Sequence, residues 1–355
     1  MVRNRFVRSF IFGAAALLAQ SAAIQGAFAQ DYPPTNLKVQ GGWATAGIYQ
    51  EYEVPFWKEQ LPRLTNGKVT ADLTNLNEMG LRGPEVFRLM RLGVIDFGTS
   101  ALGYAAGDDA QNEATDLAGI ALDIATARKV NDAYKATLSD LYEKKYGIKL
   151  LILYPAEAQV FWCNSKIERL SDLKGKKIRT GNRTVADFVE AAGGATITMP
   201  FGEVVPALQR KVIDCAVTGT FSGNSAGWHE VTTHLYPMTV GWSPFMYAVN
   251  MKAWTRLDPK VRDLISTEMK KLENEIWIAA AKRTAEGLTC STGGACSFGK
   301  KGTMTLVPVA KDDGAVRNKL VTDVVLSRFA QRCGAACVKT WNAVVGPIVG
   351  LKAPE

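Results

Sequence analysis

The chain has 355 residues, 47% hydrophobic and 21% charged, with 42 Lys and Arg against 34 Asp and Glu, a formal charge of +8 at pH 7. That length exceeds the usual single domain and predicts two, each with enough apolar material for its own core. The basic excess is mild and spread along the chain, which argues against nucleic acid as a partner; the Lys174, Lys176, Lys177, Arg179 group reads as a solvated strand edge.

Residues 1–29 combine Arg3, Arg5 and Arg8, an apolar run from Phe10 to Leu18 and Ala27-Phe28-Ala29. This is the pattern of a secretory signal with an A-x-A cleavage site, so the mature chain is expected to be exported and to begin at Gln30, its charge lowered from +8 to +5. The apolar run is well short of the ~20 residues a membrane span requires, and no later segment is longer, so no direct membrane insertion is expected. Six cysteines in an exported chain are compatible with disulfides. Cys290 and Cys296 flank a turn-rich loop and are expected to pair. Cys333 and Cys337 lie four apart and need a distorted helix to do so, while Cys163 and Cys215 are either buried thiols or a cross-strand bridge. With only His229 and His234 available and no ligand spacing among the cysteines, neither a metal nor another cofactor is expected.

Leu37–Gln40 reads as a strand ending at Gly41-Gly42-Trp43, followed by a helix over 49–64 and a strand over 69–73. Pro84 suits the first helical position of a segment running to Leu92. Gly93–Gly98 is the next strand, with Thr99 and Ser100 at its end. The run 148–164 is apolar but broken at Pro155–Ala158, as expected of a strand that passes from one domain into the other. Pro244 and the apolar Phe245–Val249 suggest the return crossing. Asp258-Pro259 then opens a long helix whose apolar face, Val261, Leu264, Ile265, Met269, Leu272 and Ile276, continues to about Leu288 and would brace both domains.

The stretch from Leu173 to Tyr236 organises the rest. Lys177–Thr180 is a strand, 184–192 a helix stopped by Gly193-Gly194, Thr196–Met199 a strand, Glu203–Arg210 a helix and Val212–Val217 a strand. This alternation predicts a parallel sheet, and ligands of such sheets gather beyond the carboxyl ends of the strands. Arg179 and Thr218-Gly219 fall at that edge.

Leu170-Ser171-Asp172-Leu173-Lys174-Gly175-Lys176-Lys177-Ile178-Arg179, continued by Gly193-Gly194-Ala195, Met199-Pro200, Glu203-Val204, Ala207-Leu208-Gln209 and Val212-Ile213-Asp214, resembles the solute-binding subunits of tripartite ATP-independent periplasmic (TRAP) transporters of the DctP type. Leu92–Asp96 and the Thr65–Val69 turn add to the likeness, which runs from about Leu37 to the end. The resemblance implies an α/β, two-lobed periplasmic binding protein fold (type II-like) with hinge strands and a long domain-spanning helix. Its lobes are expected at 30–156 plus 245–287, and at 157–244 plus 288–355. It implies a small organic acid ligand handed to TRAP membrane permease subunits, with Arg179 pairing the carboxylate and Phe201 presenting a ring. A planar guanidinium suits that role because it donates two parallel charge-assisted bonds.

Where sialic-acid-binding relatives carry a second arginine this chain has Gln159, and where they carry asparagine it has Thr218, which argues against sialic acid. Trp162, Trp242 and Thr218-Gly219-Thr220 suggest an apolar pocket and so a small monocarboxylate, aromatic or branched. Trp43, at the first strand's end, and Ser100 complete the expected ligand contacts. Two enzyme signatures compete. Gly223-Asn224-Ser225-Ala226-Gly227 fits the nucleophile elbow of a serine hydrolase, yet both histidines follow Ser225 within a dozen residues and leave no room for an intervening acid strand. Residues 294–301 nearly spell a phosphate loop, but Lys301 stands where a magnesium-reaching hydroxyl belongs. Asp108-Asp109 and Asp312-Asp313 read as solvated turns. A binding protein without catalytic residues is the expectation, a ligand-sensing partner of the same fold the alternative.

Overall fold

Strands that alternate between two sheets carry the fold. The computed structural model describes residues 31–297 and 299–355, so the expected signal segment lies outside the described residues. In chain order the described strands are β1 (Thr35–Gly41), β2 (Val69–Asn75), β3 (Phe97–Ala101), β4 (Ile148–Tyr154), β5 (Gln159–Cys163), β6 (Lys177–Thr180), β7 (Ala195–Thr198), β8 (Cys215–Gly219), β9 (His234–Tyr236), β10 (Phe245–Asn250) and β11 (Thr305–Leu306). They form one sheet ordered β2-β1-β3-β10-β4 and a second ordered β11-β9-β5-β8-β6-β7. In the first, β1 runs parallel to β2 and β3, while β10 is antiparallel to β3 and β4. In the second, β6 is parallel to β7 and β8, as the strand and helix alternation predicts, and β5 is antiparallel to β8 and β9.

The apolar run 148–163 supplies β4 to one sheet and β5 to the other, and 234–250 supplies β9 and then β10 in return. These crossing segments bond to each other: Ala156 N donates to Trp242 O (2.9 Å), Gln159 N to Gly241 O (2.9 Å) and Val240 N to Gln159 O (3.0 Å). The buried Asp116 carboxylate accepts from the main-chain N–H of both Trp242 and Ser243, each at 2.9 Å.

The long helix is Pro259–Ser291, 33 residues and so about 50 Å, with the Asp258 carboxylate accepting from Lys260 N at 2.8 Å. Its first half buries Val261, Ile265, Met269, Leu272 and Ile276 in the core under the first sheet, each fully buried aliphatic contributing about 1.5–3 kcal/mol. Its second half packs against the helix Thr220–Ser225, beside the second sheet. Gly287 makes that approach possible: a Cβ there would lie 2.3 Å from the Thr220 and Phe221 backbone. One helix therefore braces both sheets.

Several boundaries differ from expectation. Residues 49–64 are helical, but Tyr49–Glu53 and Pro55–Gln60 are wound as wide π turns, with Pro55 at the start of the second. Wide turns of this kind gather at functional sites. The strand expected over 93–98 is Phe97–Ala101, and Val212–Val217 becomes Cys215–Gly219. Helices Ile124–Leu141 and Leu326–Val344 lie where the sequence carries no assignment. Asp313 is no solvated turn residue. It is 4% exposed and accepts from Leu170 N (2.6 Å) and the Tyr236 hydroxyl, because it opens the helix Asp313–Leu320 that packs against this corner. Asp109 likewise caps a turn, accepting from Gln111 N at 3.0 Å.

All six cysteines are paired. Cys163 and Cys215 are directly opposite in β5 and β8, and Cys290–Cys296 closes the expected loop. Cys333–Cys337 is permitted by the distortion a regular helix lacks: Gly334 sits at φ 76°, ψ 165° inside the helix. The Cys163–Cys215 bridge closes a separation of 52 residues, and constraint of the unfolded chain on that scale is worth about 2–4 kcal/mol. A Cys163→Ala, Cys215→Ala double variant is expected to unfold with a stability lower by that amount in a denaturant titration under oxidising conditions.

Candidate functional site

The loops that leave the carboxyl ends of the parallel strands in both sheets converge on one cavity. Trp43 comes from the end of β1, Tyr104 from the turn after β3, Tyr154 from the end of β4, Gln159 from the start of β5 and Arg179 from β6. Asn182 precedes the helix Arg183–Ala191, Phe201 follows β7, Thr218 ends β8 and Phe245 begins β10. The cavity measures about 80 Å³ traced by water centres, room for several waters at roughly 10–15 Å³ each or for one small solute.

Arg179 is the fixed point. Its side chain is buried, with Nε and one terminal nitrogen donating to Met199 O (3.0 and 2.9 Å) and the other terminal nitrogen to Val217 O (2.9 Å). A guanidinium carries five N–H donors, so each terminal nitrogen retains one N–H. The Trp228 ring lies 5.7 Å beneath the group, and Gly181 passes close enough that a Cβ would meet the guanidinium at 3.4–3.6 Å. Among the described residues no acid pairs with it. Burial lowers its pKa to about 10, partly offset by the nearby Tyr104 hydroxyl, and the group remains a cation at neutral pH.

Aromatic rings form much of the wall. Phe201 stacks on Trp228 (centroids 5.4 Å apart, 24° between planes), and Trp43 reaches across from the first sheet to within 6.3 Å of Phe201. Tyr104 Oη accepts from Phe201 N at 3.4 Å, a second contact between the sheets. On the far side Glu53 is buried, accepting from Gly42 N (2.8 Å) and the Tyr247 hydroxyl (3.0 Å). Burial raises its pKa to about 7 against the lowering effect of those bonds. Behind the wall Arg283 of the long helix bridges Glu51 and Glu157 and stacks 4.3 Å from the Phe221 ring. Glu157 in turn accepts from Ser222 N (3.0 Å) and its hydroxyl (2.6 Å).

Of the residues expected from sequence, Arg179, Gln159, Phe201, Thr218 and Trp43 line the cavity. Trp242, Gly219 and Ser100 do not. The Trp242 indole is packed in the core and donates to Ala121 O at 3.1 Å; Ser100 points its hydroxyl to Gly83 O at 3.4 Å; Gly219 faces the Glu157 carboxylate. Trp162 is likewise fully buried, against Trp228. The apolar wall comes instead from Trp43, Tyr104, Tyr154, Val185, Phe201 and Phe245. The sequence reading missed Glu53, Tyr104, Tyr154 and Asn182; for the first three no short motif distinguishes a cavity residue from a core one. Asn182 carried a legible signal, an Asx cap two residues before an apolar helical run, and its side chain accepts from Val185 N at 2.9 Å.

The hydrolase signature does not assemble. Ser225 ends the helix Thr220–Ser225 and donates back to Ser222 O (3.2 Å), whereas His229 Nε2 lies 3.8 Å from Glu230 and His234 Nδ1 meets the Thr233 hydroxyl. Among the described residues no group of three His, Cys, Asp or Glu side chains is arranged to hold a metal, and no helix is long and apolar enough to cross a membrane.

Over residues 43–291 the sequence matches DctP, bacterial extracellular solute-binding protein family 7. The ectoine-binding periplasmic protein TeaA of Halomonas elongata is 29% identical over 147 residues, 40% of this chain and 43% of that one. The TeaA structure superposes with a TM-score of 0.78 at 18% identity, covering 89% of this chain and all of that one. DctP6 of Bordetella pertussis, an extracytoplasmic solute receptor binding pyroglutamic acid, gives 0.79 at 18% identity over 88% and 99% of the two chains. A TRAP periplasmic solute-binding protein from Desulfovibrio salexigens with bound orotic acid gives 0.77 at 17% identity over the same shares, 88% and 99%.

The Asp116 carboxyl that holds the crossing segment has its pKa raised to about 7 by burial, which outweighs the two N–H bonds. A raised folded pKa means the folded state holds the proton longer, so this group's contribution to stability is fully present below its ordinary value of 3.8 and is lost as pH rises to about 7. The wild type should therefore lose stability between about pH 4 and about pH 7 by up to ~1.4 kcal/mol per pH unit more than Asp116→Asn, read by urea titration of both proteins across that range.

Proposed function

The chain belongs to the DctP family of bacterial extracellular solute-binding proteins, and on that premise we propose that it is the periplasmic receptor of a TRAP transporter, taking up a small monocarboxylate between its two sheets and delivering it to the membrane permease. The observation that carries the reading is the Arg179 guanidinium, buried, fixed by two main-chain carbonyls, unpaired with any described acid, with two N–H groups left over, at the wall of a cavity that accommodates a small solute. A carboxylate accepts two such donors in parallel. The N-terminus of the helix Arg183–Ala191 opens beside the same cavity and adds positive potential.

The two sheets are then the cores of the two lobes. Segments 155–158 and 237–244 are the hinge, and the long helix is the brace behind it. The C-terminal helices serve both lobes, since Trp341 Nε1 donates to Ala114 O (2.9 Å) and Arg332 reaches Glu113 and Asp187 together. Gln159 and Thr218 flank the carboxylate position, and Trp43 and Phe201 form an adjoining aromatic wall for the ligand body. Ectoine, pyroglutamate and orotate, the solutes of the three similar proteins, are each a ring bearing one carboxylate, and the aromatic wall suits a flat ring. The chain performs no chemistry on its ligand. Thr218 and Gln159, in place of amide and guanidinium groups, provide fewer polar contacts than a polyhydroxylated sugar acid requires.

A thermal-shift screen of the protein against carboxylic acids is expected to give a ligand-dependent rise in Tm for small cyclic monocarboxylates. In titration calorimetry with the best of these, Arg179→Ala should weaken binding at least tenfold, because each charge-assisted bond contributes about 1.5–3 kcal/mol when shielded. Unchanged affinity refutes the assignment.

A further inference from the structure

Arg179 stands on the second-sheet side of the cavity; the acid Glu53 stands on the first-sheet side, from the helical run 49–64. We propose that Glu53 is the second anchor of the ligand, accepting a hydrogen bond from a ligand N–H, so that the solute is a carboxylic acid that also carries an N–H donor at its opposite end. The proposal rests on the carboxylate reading and narrows it to one chemical class.

Glu53 is 2% exposed but lines the cavity. Three neutral donors are arranged around its carboxyl. Gly42 N and Tyr247 Oη both donate to Oε2, and Tyr247 is committed to that direction because its oxygen already accepts from Trp57 Nε1 at 3.2 Å. The Tyr154 hydroxyl, paired with Thr99, stands near the group and opposes the rise of its pKa. Donors directed at a carboxyl favour its ionised form, yet among the described residues no cation is paired with it. A buried carboxylate without countercharge is expensive, and both Glu53 and Gly42 border the cavity. Oε1 lies 3.1 Å from the point where a Cβ on Gly42 would stand, so a side chain at that position would crowd this oxygen. The cavity thus carries a guanidinium at one end and, at the other, a carboxyl that burial raises to about 7 and that an arriving N–H donor would hold in its ionised form. A solute with an acid and an N–H, neutral or cationic, matches both ends at once, whereas an acid without a donor leaves Glu53 uncompensated.

The test compares pyroglutamate with its carbocyclic analogue, in which CH2 replaces the ring N–H, by calorimetry on the mature protein. Wild type should bind pyroglutamate about tenfold tighter or better, the worth of one hydrogen bond to a charged group. Glu53→Gln presents an amide to the same ligand and should reduce that preference to under about threefold, while leaving the analogue within about threefold of its wild-type affinity. Arg179→Ala weakens both acids. Equal affinity of the two acids for wild type overturns the inference without any variant, as does a Glu53→Gln protein that loses both acids alike, which marks Glu53 as structural. Binding confined to acids that lack an N–H also overturns it and leaves the carboxylate reading intact; binding of no acid in the panel defeats both.

Discussion

A cation held by carbonyl oxygens alone is the constraint on which this structure turns. Arg179 is oriented by Met199 O and Val217 O, which belong to the segments that end β7 and β8. Its direction is therefore set by the parallel register of three strands rather than by a flexible ion pair. Neutral acceptors satisfy the geometry of the guanidinium without cancelling its charge, and Trp228 below it supplies a ring face that a cation favours. The uncancelled charge is the feature on which the proposed carboxylate contact rests.

The alternation of strands and helices between Leu173 and Tyr236 was legible because each element is short, periodic and bounded by glycine or proline, and the structure forms the parallel β7-β6-β8 set it implies. The position of Arg179 followed from that alternation, since strand ends in such sheets point at ligands. The two crossings were legible from one apolar run too long for a single strand and another opened by proline. The rest was hidden by chemistry that sequence does not display. Trp242 and Trp162 look like ring walls for a ligand, but burial of an aromatic is decided by which sheet face it meets, and both face the core. Glu53 sits in the middle of an ordinary amphipathic segment, and nothing in that pattern tells a cavity-facing position from a core one. Asp313 reads as half of a polar pair in a turn; its burial depends on Leu170 and Tyr236, 143 and 77 residues away.

The hinge region shows how the chain holds two bodies at a defined separation. Ser243 adopts a left-handed backbone, φ 43°, uncommon for a residue with a side chain. The Asp116 carboxyl fixes that geometry by accepting from the successive N–H groups of Trp242 and Ser243. Ser243 also borders the cavity, so the least comfortable backbone of the crossing segment is in contact with the space a solute would fill. The long helix opposes any wholesale displacement, because its first half is committed to the core of one sheet and Gly287 to intimate backbone contact with the other.

Arg332 donates at once to Glu113, in the loops beyond β3, and to Asp187, on the helix that follows β6. A single guanidinium thus rivets two bodies from behind, far along the chain from either. Parting the cavity mouth must lengthen one of those contacts or drag the C-terminal helix along with it. Were the two sheets to part, the tail of the protein would act as a tether on that motion, through a side chain that lines no part of the cavity.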